Sequence, residues 1–380
     1  MKWRETTLGA GIHIKHGYAF KSEFFVNSGK YIVLTPGNFY EEGGFRLRAE
    51  KDRAYSGSIP ENFILSKGDI IIAMTEQDAG LLGSSALIPE NDRFLHNQRL
   101  GLIDKIDEEL FNKNFLYYLF NTYSIRGQIS GSASGTKVRH TSPDKIYRVK
   151  IKIPDVTTQQ KIADILSKYD DLIENNRRRI ELLERSARLL YKEWFVRLRF
   201  PGHEHTPIID GIPEGWEKKT LGDVGFLNYG KTLKQENRIS GNYPVFVSSG
   251  IIGTHNRFLV KGPGIIIGRK GNIGSVYYAN DDYYPIDTAY YINASYTSFY
   301  LYHALVNTSF INTDAAVPGL NRDVAHKTRL LMPDSTLKTL FEKFATPIYK
   351  QIFLLKKQNQ KLKQARDIIL PKLMNGEIEV

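Results

Sequence analysis

The chain has no cysteine at any of its 380 positions. A disulfide framework, a zinc–thiolate centre and a cysteine nucleophile are therefore excluded. Long apolar runs are missing too, since the longest, such as Ile70–Met74 and Ile265–Ile267, are far too short to cross a membrane. The opening residues, MKWRETTLGAG, lack the apolar stretch of a signal peptide. These absences predict a soluble, cytoplasmic protein without a membrane partner.

Motifs of catalysis are also missing. No Asn/Asp-Pro-Pro-aromatic methyltransferase motif occurs, and Gly268-Arg269-Lys270 lacks the first Gly and the final Ser/Thr of a Walker A motif. The Pro-Asp pairs at Pro154 and Pro333 have no acidic-x-Lys nuclease partner on a following strand. His203-Glu204-His205 falls in a Pro/Gly-rich connector without a third metal ligand nearby. We therefore expect a non-enzymatic chain with no metal and no cofactor of its own.

Positive charge is in excess. Lysine and arginine number 52 against 41 acidic residues, which gives a net charge of +11. Such an excess indicates a polyanionic partner, with nucleic acid as the first candidate and a membrane surface as the second. A chain of 380 residues is longer than a single hydrophobic core usually organises, so two or more domains are expected.

The sequence repeats itself once. Five matches occur in the same order in the two halves, and the spacing between them shrinks from 213 to 179 residues because the first half has longer loops. The matching pairs are Leu8-Gly9 with Leu221-Gly222, Gly17 with Gly230, FILSKGDIIIAM with FLVKGPGIIIGR, Gly83-Ser84 with Gly274-Ser275, and the two Pro-Asp pairs.

Each half begins with a globular part that contains short apolar runs between turn residues. Runs such as YIVLT, DIIIAM, YPVFV and GIIIG predict strands, and 114–123 and 297–307 predict helices, so both globular parts are expected to be α+β. A long helical segment follows each part. The predicted domains are 1–155 and 201–334 (globular) and 156–200 and 335–380 (helical).

The long segments have clear helix signals. Thr157 and Gln160 have the spacing of a capping box, and no proline or glycine follows until Pro201. The second segment predicts a helix from about Leu337 to Leu370, with a kink at Pro347 and an end at Pro371.

Apolar positions in both helices recur at alternating steps of four and three, which is typical of a coiled-coil seam. One seam runs from Ile162 to Trp194 and the other from Phe341 to Leu373. In an antiparallel pair whose facing residue numbers add up to 535, Asn176 meets Asn359. A partnered buried Asn fixes helix register; alternatively, both are solvent-facing defects in the seam. We predict two similar globular domains separated by an antiparallel coiled coil, with pseudo-two-fold symmetry that suits two DNA half-sites.

Several longer motifs resemble one protein family over essentially the full chain. They are GYAFKS, IPENFILSKGDIIIAM, FLHNQRLG, FVRLRFPGHE, IPEGWEKKTLGD, YPVFVSSGIIGTHN, YYPIDTAYYI and RDIILPKLMNGEIEV. In this order they resemble the specificity (S) subunit of type I restriction-modification systems.

The resemblance implies two target-recognition domains, each binding one half of a split, asymmetric site in double-stranded DNA. It implies that the helices set the gap and dock two methyltransferase (M) subunits, which carry S-adenosylmethionine and methylate adenine. Restriction (R) subunits would join through them and use ATP and Mg. Alternatives are the specificity subunit of a modification-only methyltransferase without a nuclease, a structural coiled-coil adaptor, and an enzyme with an unrecognised site.

DNA contacts need cations for phosphates and forked or amide side chains for base edges. Polar loops in both globular parts supply them, although each residue could equally be an ordinary solvated surface position. The candidates are Gln77, Asp78, Asn97, Gln98, Arg99, Lys137, Arg139 and His140 in the first half, and Ser248, Ser249, Arg269, Lys270, Asn272, Asn321 and Arg322 in the second.

Apolar residues also lie outside the seam of the first long helix, at Leu172, Leu182 and Phe195. Extra apolar positions of this kind indicate a second buried surface, and the resemblance favours docking of M subunits there. The alternative is the solvated flank of a coiled coil.

Overall fold

The computed structural model describes residues 3–48, 51–77, 80–311 and 319–380. It divides into two compact units: unit 1 comprises Met1–Glu174 with Gln360–Val380, and unit 2 comprises Asn175–Asn359. Both units mix strands and helices, which confirms the predicted α+β class. In the described ranges, no helix has the length and apolar character needed to cross a membrane.

Unit 1 contains twelve strands and three helices within its described residues, apart from its share of the two long helices. The strands are β1 (Arg4–Thr7), β2 (Ile12–His16), β3 (Phe25–Val26), β4 (Ile32–Val33), β5 (Ala54–Tyr55), β6 (Ile70–Ala73), β7 (Thr75–Glu76), β8 (Ser85–Leu87), β9 (Phe94–Leu95), β10 (Leu100–Ile106), β11 (Arg139–His140) and β12 (Lys150–Ile153). The helices are α1 (Lys113–Phe120), α2 (Tyr123–Gly131) and α3 (Pro143–Tyr147).

The main sheet of unit 1 has the strand order β2-β10-β6-β8 and is antiparallel throughout. Strand β6 is apolar at every position because both of its faces are covered. Ile70 and Ile72 pack in the core with the helices, whereas Ile71 and Ala73 pack in a second core beneath the loops. Strands β3, β5, β4 and β9 form a smaller sheet, and β1 pairs with β12.

Unit 2 has eleven strands and three short helices in the part of the chain that the structure describes. The strands are β13 (Ile208–Ile209), β14 (Ile212–Pro213), β15 (Glu217–Thr220), β16 (Asn228–Tyr229), β17 (Tyr243–Val247), β18 (Gly250–His255), β19 (Gly264–Gly268), β20 (Val276–Ala279), β21 (Tyr284–Pro285), β22 (Ala289–Ile292) and β23 (Arg329–Met332). The helices are α5 (Leu221–Val224), α6 (Phe299–Val306) and α7 (Arg322–His326).

The main sheet of unit 2 repeats that of unit 1. Its order is β16-β22-β19-β20, again antiparallel, and β15 pairs with β23 as β1 pairs with β12. Strand β19 is buried on both faces like β6. The internal repeat predicted from the sequence is therefore a repeated fold.

A glycine packs against a ring-bearing side chain at equivalent places in the two units. In unit 1, Gly9 lies under Tyr147, whose hydroxyl accepts a hydrogen bond from the Ile14 amide at 2.8 Å. In unit 2, Gly222 lies under His326, whose Nε2 accepts from the Leu227 amide at 3.0 Å. A Cβ atom at Gly9 would lie 2.6 Å from Tyr147 Cβ and collide with it, whereas one at Gly222 would lie 3.3 Å from His326 Cβ and only press against it.

The two long helices are α4 (Val156–Tyr191), followed by a π-helical turn at Lys192–Val196, and α8 (Ser335–Met374). Both begin after a Pro-Asp pair whose aspartate caps the helix. Asp155 Oδ1 accepts from the Thr158 amide at 2.9 Å, and Asp334 Oδ1 accepts from the Leu337 amide at the same distance. The cap is therefore Asp155, and the prediction of a capping box at Thr157 and Gln160 was wrong.

The end predicted for α8 was also wrong. The helix contains Pro347 without interruption and continues three residues past Pro371 to Met374. A proline removes its own N–H from the helix and crowds the carbonyl four residues earlier, but the helix continues, since the Asn375 amide bonds to the Pro371 carbonyl at 3.0 Å. Leu373 and Met374 are buried in the core of unit 1, and this packing holds the last turn.

Within each unit α4 and α8 run antiparallel. In unit 1, Ile162 and Leu373 share one core, and Arg366 Nη1 lies 2.6 Å from Asp170 Oδ1. In unit 2, the rings of Trp194 and Phe341 are 6.0 Å apart. These facing positions match the predicted antiparallel seam.

Candidate nucleic-acid interface and helix register

The loop after β7 in unit 1 is organised by a buried carboxylate. Glu76 Oε2 accepts hydrogen bonds from the amides of Gly80, Leu81 and Leu82 at 2.8–3.0 Å. Its other oxygen lies 3.1 Å from Arg139 Nη1, so the predicted DNA contact Arg139 is engaged in an ion pair. Nothing in the local sequence indicates this role, because the two residues are 63 positions apart.

The remaining predicted contacts near this loop lie at the surface. Gln77, Lys137 and His140 are exposed. Asp78 lies outside the described residues. The antiparallel pairing of β7 with β11 places Arg139 opposite Glu76 and His140 opposite Thr75.

A basic cavity of about 280 Å³ lies beside the HNQR segment. Asn97, Gln98 and Arg99 line it together with residues that the sequence analysis did not select, namely Arg48, Lys51, Asp52 and Arg53. Asn97 Oδ1 accepts from the Arg99 amide at 3.1 Å and shapes the turn. Gln98 and Arg99 remain exposed, so their side chains are available to a polyanion.

The predicted contacts of unit 2 fall into two groups. Lys270, Asn272 and Ser249 are exposed, whereas Ser248 is buried and its carbonyl accepts from the Ser275 hydroxyl. Asn321 caps α7, since its Oδ1 accepts from the Asp323 amide at 2.9 Å.

Arg269 and Arg322 come from separate loops and meet at one aromatic ring. Their Cζ atoms each lie 5.1 Å from the centre of the Tyr229 ring. Arg322 also lies 5.6 Å from the Phe226 ring. The sequence analysis selected both arginines but missed Tyr229 and Phe226, whose aromatic character beside Gly230 was the only available signal.

The two seam asparagines contact each other. Asn176 Nδ2 donates to Asn359 Oδ1 at 2.9 Å, and Asn176 is buried. This contact lies wholly within unit 2. The role of the pair in fixing register remains a prediction.

Exchange of these asparagines for leucine tests that role. We expect Asn176→Leu alone to lower stability by about 1 kcal/mol, because it removes the hydrogen bond between Asn176 and the half-buried Asn359. The double change to leucine should restore or raise the midpoint of thermal unfolding but loosen the register. Because the chain has no cysteine, engineered pairs report register directly: Ile180→Cys with Leu355→Cys measures the predicted alignment, and Ile180→Cys with Ile348→Cys measures a one-heptad slip. Unchanged stability and cross-linking in the double variant would contradict a role in register.

Two of the three residues predicted to dock a partner are exposed. Leu172 and Leu182 on α4 are 50% and 61% exposed. Phe195 is only 7% exposed, and its ring packs against Tyr300 at 4.8 Å and Phe341 at 5.1 Å. The π-helical turn after α4 directs Phe195 into the core of unit 2, which corrects its assignment to the docking surface.

Comparison with known proteins identifies the family. A model described as type I restriction modification DNA specificity domain matches residues 1–185 and 213–364. The chain belongs to this family, which confirms the resemblance found in the sequence.

Individual proteins that are similar to this chain are also specificity subunits. The chain is 25% identical over 298 residues to the type I restriction enzyme MjaIX specificity subunit of Methanocaldococcus jannaschii, covering 70% of this chain and 69% of that protein. It is 24% identical over 340 residues to the HindI specificity subunit of Haemophilus influenzae, covering 66% and 73%. A crystal structure of a type I S subunit from M. genitalium shares the fold, with a TM-score of 0.60, 20% identity, and coverage of 98% and 96%.

Proposed function

We propose that each unit reads one half of a bipartite, asymmetric site in double-stranded DNA, as part of a type I restriction-modification complex. The observation that carries this proposal is the repeated sheet, β2-β10-β6-β8 and β16-β22-β19-β20, with different side chains in the surrounding loops. A shared scaffold with different loops suits two readers of different sequences. The charge of +11 supports binding to a polyanion.

The paired helices set the gap between the half-sites and dock two M subunits, for which the exposed Leu172 and Leu182 provide apolar contacts. R subunits join through the M subunits. This chain is non-catalytic and binds no cofactor; S-adenosylmethionine, ATP and Mg belong to the partner subunits.

Mapping of methylated positions tests the proposal. Cells that co-express this chain with its cognate methyltransferase should show one methylated motif, split by a gap and asymmetric. The control is the methyltransferase expressed without this chain, which should leave that motif unmethylated. A continuous palindrome would contradict the model of two readers, and methylation by the purified chain alone would contradict the non-catalytic role.

A further inference from the structure

Tyr229 lies on the edge strand β16 of the main sheet in unit 2, on the same face of the sheet as the core residues Tyr290 and Ile267. Strand registers place it opposite Tyr290, which in turn lies opposite Ile267. Arg269 is two residues beyond Ile267 and so emerges on the same face. The rings of Tyr229 and Tyr290 are 5.1 Å apart, and the Tyr290 hydroxyl is fixed by a 2.8 Å bond to the Leu320 carbonyl.

The two guanidinium groups on Tyr229 have few partners among the described residues. Arg269 Nη1 donates to the Asp287 carbonyl at 2.9 Å. Arg322 Nε is buried without a hydrogen bond in the described part of the chain, and the nearest carboxylate oxygen, on Asp323, is 3.9 Å away. Two cations that share one ring without a bridging carboxylate repel each other, and an acceptor-rich ligand would relieve that repulsion.

The same cluster includes an exposed aromatic surface. Phe226 and Tyr229 are 46% and 47% exposed. Burial raises the pKa of Tyr290 to about 12, and its hydrogen bond with Tyr229 adds to this rise. Arginine forks that stack on a tyrosine ring present planar pairs of donors, which match the bidentate contacts that base edges accept.

The cluster is specific to unit 2. The positions in unit 1 that correspond to Tyr229 and Arg269 through strand register are His16 and Met74, and Met74 is buried in the core. The position that corresponds to Arg322, 179 residues earlier, is Pro143. The cluster therefore occupies places where the common scaffold differs between its two copies.

From these observations we infer that Tyr229 is a specificity-determining positioning residue of unit 2, holding Arg269 and Arg322 so that their forks read guanine O6 and N7 in one half-site. Bidentate arginine–guanine pairs are the commonest specific contacts in the major groove. Stacking on the ring restricts each guanidinium before DNA arrives, which lowers the entropy lost on binding. This inference rests on the proposed function.

The test uses the full complex of this chain with its methyltransferase. Tyr229→Leu, Arg322→Lys and Arg269→Lys are compared with Tyr296→Leu, a control because Tyr296 is equally exposed in unit 2. Competition binding measures discrimination against every single base-pair change in both half-sites. We expect the first three variants to lose about 5- to 150-fold of discrimination at one or two G·C positions of one half-site. The other half-site and the control should be unchanged.

The alternatives give different results. Equal weakening on all DNA sequences, with unchanged discrimination between them, would identify a phosphate contact and overturn the inference. Unchanged discrimination in all three variants would also overturn it. The two lysine variants keep the charge and the fold, so a loss of folding in Tyr229→Leu alone leaves the inference testable. Failure of the wild-type complex to select a split site would instead refute the proposed function.

Discussion

Phe341→Ala should lower the stability of unit 2 by about 3–5 kcal/mol, the usual cost of truncating a fully buried phenylalanine. Phe341 is completely buried between α4 and α8, with ring contacts to Trp194 at 6.0 Å and Phe195 at 5.1 Å. Tyr191 and Tyr300 close the same cluster. Because these residues come from both long helices and from α6, the cavity left by alanine would loosen the attachment of α6 to the helix pair.

Urea unfolding followed by tryptophan fluorescence measures this effect. Trp194 and Trp216 belong to the affected cluster, so they report on unit 2, whereas Trp3 lies in unit 1. Leu354→Ala is the control, since Leu354 lies on the same helix within unit 2 but is half exposed. It should cost about 1 kcal/mol or less. A similar loss from both variants would contradict the assignment of Phe341 to the core.

The sequence predicts those features that depend on local periodicity. Apolar residues recur at alternating steps of four and three from Ile162 onward, and this spacing predicts the seam. The antiparallel register then predicts that Trp194 faces Phe341, and no loop structure is needed for that prediction. The apolar runs of β6 and β19 predict buried central strands for the same reason, since a strand covered on both faces needs no polar position.

Features that depend on tertiary contacts could not be predicted. Phe195 lies within a π-helical turn that the apolar pattern does not encode. The last turn of α8 passes Pro371 because packing of Leu373 offsets the lost hydrogen bond. From the sequence, Arg139 is expected to be a surface cation, but it pairs with the carboxylate of Glu76, which is far from it in sequence. The convergence of Arg269 and Arg322 on Tyr229 likewise depends on three separate segments meeting at one sheet edge.

Glu76→Ala should destabilise the loop that follows β7 in unit 1 by about 3–5 kcal/mol, because it removes the acceptor of three amides at once and breaks the ion pair with the partly exposed Arg139. The carboxylate is almost fully buried, so water would not replace the lost bonds. Hydrogen exchange at Gly80, Leu81 and Leu82 measures the loss directly and should speed up strongly in the variant. In the assembled complex, the exposed Gln77 on this loop would lose its fixed position, and discrimination should fall in only one half-site.

Glu76→Gln separates the two parts of this effect. An amide oxygen can still accept from the loop amides, but the ion pair with Arg139 is lost, so the expected destabilisation is smaller than for alanine. Glu61→Ala, at an exposed position in the same unit, should leave exchange in the loop unchanged. Equal loss in the alanine and glutamine variants would show that charge, rather than the three amide bonds, holds the loop. Wild-type exchange in both would show that Glu76 does not organise it, and the half-site read by unit 1 would then have to depend on the basic cavity at Gln98 and Arg99.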